Sequence, residues 1–114
     1  MRAVNRSAII VKPKALHQQW FVEVGQEPIS LDALREQSTI ILIPEAAYQD
    51  GAEAYLKAHC TSIFENELEA LCPRDHQSRW PAVRDYTTFR AWFDVEVYAL
   101  VLDSSEEGLL KEPY

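Results

Sequence analysis

Only three glycines and two cysteines occur in 114 residues. Glycine scarcity leaves little material for phosphate-cradling loops, and neither a Walker nor a Rossmann glycine pattern is present. No Gly-x-Ser-x-Gly elbow offers a serine nucleophile. No Cys-x-x-Cys or His-x-x-x-His pair occurs. His59, Cys60, Cys72 and His76 fall within 18 residues, but the segment between them reads as helix. Twelve helical residues separate Cys60 from Cys72 by about 18 Å, too far for a disulfide or a shared metal ion. No cofactor, no metal ligand set and no catalytic residue is therefore expected. No apolar run approaches the length of a membrane span. The N-terminal apolar run, Ala8 to Val11, is too short for a signal-peptide core. With two cysteines it points to a reducing, cytoplasmic setting.

What is present is an acidic globular composition. Apolar residues make up 47% and charged residues 25%, enough for one domain with a real core. The formal charge is −7, and it is unevenly spread. Residues 1–22 hold Arg2, Arg6, Lys12 and Lys14 and no acid; residues 23–72 hold ten acids and two bases; the rest hold eight acids and five bases. Such a balance repels phosphate backbones, so no nucleic-acid partner is expected, while a basic protein partner would suit it. Acidity also serves solubility alone.

Ser7-Ala-Ile-Ile-Val11 reads as a buried strand that Pro13 stops. Pro13 can also open a helix, in which Leu16, Trp20 and Val24 recur every four residues until Gly25 and Pro28. The alternative there is an extended Trp20 to Val24. Ser30 caps a short helix through Leu31, Leu34 and Arg35. Thr39-Ile-Ile-Leu-Ile43 has no polar face, which predicts a strand covered on both sides or placed centrally. Asp50-Gly-Ala-Glu53 has the spacing of a capping box, ahead of a long helix over 51–71. Residues 72–79 read as a polar loop. Trp80-Pro81 opens a last helix to about Trp92, and Phe93 to Leu102 forms the third strand. At that junction Phe89 and Trp92 share a helix face, and Phe93, Val95 and Val97 share a strand face. The aromatic cluster thus reads as a core seam.

The expected fold is α/β: a small, mixed three-stranded sheet packed with helices, in the order β-α-α-β-α-α-β. Residues 1–103 form the domain and residues 104–114 a loosely ordered tail. The first two strands are expected to run parallel through a right-handed crossover, with the third antiparallel. Ligands of open α/β sheets gather beyond the carboxyl ends of parallel strands. On that arrangement Lys12, Lys14 and Glu45 share one edge, joined by Asp94, Glu96 and Arg84, as a candidate polar site. The plain alternative is a set of exposed ion pairs.

Asn5-Arg-Ser-Ala8, Val11-Lys-Pro-Lys14, Trp20, Ile43-Pro-Glu45, Trp80-Pro81, Arg84, and Phe89 with Trp92-Phe93 and Glu96 together resemble a group of small bacterial proteins with no assigned function. The resemblance spans nearly the whole chain. It implies a free-standing bacterial cytoplasmic domain and nothing about chemistry. Two functional classes remain: a non-catalytic protein-interaction or regulatory module, and a small enzyme or ligand-binding domain with a polar site at the sheet edge.

Overall fold

A computed structural model describes residues 1–25 and 27–113. Two short strands, β1 (Arg2–Ala3) and β5 (Leu102–Asp103), pair at the chain ends. Between them lie β2 (Ser7–Pro13), α1 (Ala15–Gly25), α2 (Leu31–Arg35), β3 (Thr39–Ile43), α3 (Glu45–Gln49), α4 (Glu53–Glu69), a 3-10 segment (Arg74–Arg79), α5 (Tyr86–Trp92) and β4 (Phe93–Tyr98). The fold is α/β, with a three-stranded sheet packed against helices.

The sheet order is β3-β2-β4, and both pairings are antiparallel. The expected parallel pairing of the first two strands is thus incorrect, and the sheet is not mixed. The reason lies in the connection. α1 leads away from the end of β2, and α2 brings the chain back to that same end. The Gln18 amide donates to Ile29 O at 2.8 Å, tying α1 to the segment before α2. The Arg35 guanidinium then donates to Pro13 O at 3.0 Å. β3 starts where β2 stopped, so it must run the other way. β3 is also an outer strand rather than a central one. Its residues alternate: Ile43 is buried, whereas Ile40 and Leu42 are exposed.

Several local expectations shift as well. β2 runs through Pro13, which pairs with Phe93, and α1 begins at Ala15. Residues 20–24 are helical rather than extended. Ser30 caps α2 as expected, its hydroxyl accepting from Ala33 N at 3.1 Å. The capping box does not form. Asp50 instead ends the unforeseen helix α3, and Ala52 precedes α4 without a side-chain cap. Gly51 (φ 86°) and Ala52 (φ 62°) both take left-handed conformations, which turns the chain sharply between the two helices. Such a φ is costly for alanine, but Ala52 is buried in the core and its N–H donates to Ala47 O at 2.8 Å. Trp80 does not open a helix; it is extended and buried. The last helix starts at Tyr86, where Asp85 accepts from Thr88 N at 2.9 Å. The third strand stops at Tyr98, short of Leu102. Residues 104–113 form neither helix nor strand, and Tyr114 lies outside the described residues.

The core lies on one face of the sheet. Ile9, Val11, Ile43 and Phe93 meet Trp20 from α1, Leu56, Cys60, Ile63, Phe64 and Leu68 from α4, and Phe89 from α5. The cysteines Cys60 and Cys72 are both buried free thiols. α5 passes directly into β4 at Trp92–Phe93. Phe64 packs on Phe89, Trp92 and Phe93 with ring centroids 5.3–6.1 Å apart. The aromatic run is therefore the seam between helix and strand.

His17 sits inside this seam. It is buried, with ring centroids 4.7 Å from Phe93, 5.5 Å from Trp20 and 5.8 Å from Trp92, and its Nδ1 has no hydrogen-bond partner. Burial among apolar rings penalises the imidazolium and lowers its pKa to about 4. Below pH 6.5 the unfolded chain binds this proton before the folded chain does. The His17 contribution to stability is thus complete above pH 6.5 and is lost as the pH falls towards 4, a total of about 3 kcal/mol. Urea melts of the native protein and of His17→Leu between pH 7 and pH 4 should diverge over that window, the variant losing less. Parallel profiles would show that His17 titrates as an ordinary histidine.

Candidate functional site: the uncovered face of the sheet

Antiparallel alternation puts Ser7, Ile9 and Val11 on the core face and Ala8, Ile10 and Lys12 on the other. The register extends this second face across three strands. Leu42, Ala8 and Tyr98 form one row; Ile40, Ile10 and Glu96 form the next; Lys12 and Asp94 form the third. The core elements all pack on the opposite side. Ile40 is 65% exposed, Leu42 43% and Tyr98 47%, whereas Ala8, between the last two, is buried. This face is apolar towards β3 and charged at the corner where β2 ends and β4 begins.

In the charged corner Lys12 forms an ion pair with Glu96, and the Tyr98 hydroxyl donates to the same carboxylate. Arg35 reaches Asp94 at 3.2 Å. Hydrogen bonds from Lys12 and Tyr98 hold the Glu96 carboxyl below the usual glutamate range. That carboxylate in turn pushes the Tyr98 hydroxyl up. Lys14 lies beyond the strand end, donating from Nζ to Arg90 O at 3.1 Å. Lys12 with Glu96 and Arg35 with Asp94 are thus paired across the corner, while Lys14 bonds a main-chain carbonyl.

Of the residues singled out from the sequence, Lys12, Lys14, Asp94 and Glu96 do gather at one end of the sheet. Glu45 does not. Antiparallel pairing carries the end of β3 to the opposite end, where Ile43 faces Ser7, and Glu45 begins α3 there. Arg84 is elsewhere too. It lies 3.4 Å from Glu65 on α4 and stacks over Trp80 at 5.6 Å, with Arg74 also 5.6 Å from that ring. The Trp80 indole N–H donates to Cys72 O at 2.9 Å, so Arg84 belongs to a clamp around a core tryptophan. Arg35 was missed because its partners Pro13 and Asp94 are distant in the chain. Tyr98 shares the alternation of Asp94 and Glu96, and that spacing was its only signal.

Among the described residues, no group of three or more His, Cys, Asp or Glu could hold a metal ion, and no helix is long and apolar enough to cross a membrane. No family model, curated protein or solved structure matches the chain.

The corner has a direct spectroscopic test. In a carbon-detected NMR titration Glu96 should ionise below an ordinary glutamate, and Lys12→Met should move it up. An unmoved Glu96 would mean that solvent screens the Lys12 contact completely.

Proposed function

We propose that this protein is a non-catalytic protein-interaction module of a bacterial cytoplasm and that the uncovered sheet face is its binding surface. The observation that carries this reading is the exposure of Ile40, Leu42 and Tyr98 on one continuous antiparallel face. A large apolar side chain exposed singly is ordinary; several in adjacent rows form the kind of patch that marks an interaction site. The neighbouring charges are already engaged with one another, which fits a polar rim around an apolar centre. The net charge of −7 disfavours nucleic acid and favours a basic protein. The bacterial setting rests on the sequence resemblance.

The double variant Ile40→Asp, Leu42→Asp separates this reading from an inert surface. Both side chains are exposed, so the variant should fold with a circular dichroism spectrum like the native one. Affinity capture from the native host should recover a stoichiometric protein with the native chain and lose it with the variant. Equal recovery by both would remove the sheet face from the interaction.

A further inference from the structure

The binding mode can be taken further, resting on the reading of the protein as an interaction module. β3 is an outer strand, and among the described residues no backbone hydrogen bond reaches it from its outer side. Unpaired strand edges attract other strands, and proteins protect them with charges, proline or bulges. Thr39-Ile-Ile-Leu-Ile43 carries none of the first two, and its pairing with β2 runs without interruption from Ser7↔Ile43 to Val11↔Thr39. The other outer strand, β4, is protected by Asp94 and Glu96.

Beside β3 runs a groove of about 760 Å³ whose far wall is α4. Tyr55, His59, Ser62 and Asn66 line that wall. They recur at i, i+4, i+7 and i+11 and so form one helix face. The chain's own Leu110, Lys111 and Glu112 reach the groove but do not fill it, since Leu110 is 88% exposed. A strand edge facing a helix across an open groove fits strand addition, in which main-chain hydrogen bonds give affinity and alternate side chains give selectivity.

Charge identifies the occupant. β3 carries no charge and the tail brings one of each sign to the groove, Lys111 and Glu112, while a carboxyl group stands beyond each end of the strand. Glu67 on α4 meets Thr39 at the start of β3; its Oε1 is buried without a partner and burial raises its pKa, a cost that a cation at that end would offset. Glu45 follows Pro44 just past the end of β3. Among the described residues neither forms an ion pair. We infer that the groove between β3 and α4 binds an extended segment of another protein as a fourth strand, apolar and β-branched at its centre and with Lys or Arg at each end. A second copy of this chain is a poorer occupant, because two bodies of charge −7 repel.

The test uses the full chain and three fluorescent heptapeptides with blocked ends: Lys-Val-Thr-Val-Thr-Val-Arg, the same core flanked by Glu, and the basic peptide N-methylated at alternate residues. Fluorescence anisotropy should show the basic peptide binding at least tenfold more tightly than the acidic one. N-methylation on the edge-facing side should abolish binding. The double variant Glu45→Gln, Glu67→Gln should weaken the basic peptide about tenfold and flatten its salt dependence. Amide shifts in an NMR titration should concentrate in residues 39–43 and on the α4 wall. No binding, equal binding of the methylated peptide, or shifts elsewhere would overturn the inference. So would concentration-dependent dimerisation through β3 in sedimentation, which would make a second copy the occupant. If the peptide fails while the Ile40→Asp, Leu42→Asp variant still loses its captured protein, strand addition falls and the interaction module stands. If the peptide binds and capture is unchanged by that variant, the groove stands and the sheet face falls.

Discussion

The architecture depends on three chain passages being tied together at one end of the sheet. There β2 ends, β3 begins and β4 begins. Lys14 N donates to Trp92 O at 2.8 Å and its Nζ to Arg90 O, joining the end of β2 to the end of α5. Arg35 holds both Pro13 O and Asp94, joining α2 to both strands. These contacts set where β3 and β4 start against β2, and a strand's start fixes which side chains face each way. Individually these exposed ion pairs are weak, because solvent screens them. Their larger effect is on register, and through register on which face is apolar and open.

That arrangement explains why charges that looked like a site behave as fasteners. Lys12, Lys14, Asp94 and Glu96 share a sheet end because the chain passes that end three times. Grouping charges at a sheet edge was legible from strand boundaries alone. Direction was not. Whether two strands run parallel depends on how many reversals their connection makes, and here the second reversal is α2, only five residues long. The error in direction placed Glu45 with the lysines, and hid that β3 is an edge.

Periodicity was informative wherever burial is one-sided. Leu56, Cys60, Ile63 and Leu68 on α4 and the handover at Trp92–Phe93 follow from spacing, whereas the burial of Phe64 does not. Thr39–Ile43 misled because an all-apolar strand reads as doubly covered, whereas its second face is simply left bare. That mismatch between composition and environment is the observation on which the proposed binding surface rests. The Asp50–Glu53 spacing misled for a different reason: a glycine and an alanine in left-handed conformations made the turn, and Asp50 served the preceding helix. Local pattern could not foresee that Ala52 would accept an unfavourable φ to fill a core position.

The central position of β2 sets the order in which the molecule can be completed. Its partner on one side, β3, emerges about thirty residues later, but its partner on the other side is among the last elements of the chain: Ala8 pairs with Tyr98. Non-local pairings of this length slow folding. During synthesis, at about 5–20 residues per second, β2 must wait several seconds with one edge unpaired and with Phe93 missing from the core. The nascent chain therefore passes through a stage in which an apolar strand near its N-terminus is open on the side that β4 will occupy. Early capture of that edge by the wrong strand is the hazard this topology carries, and it lasts for as long as the roughly eighty residues between β2 and β4 take to be made.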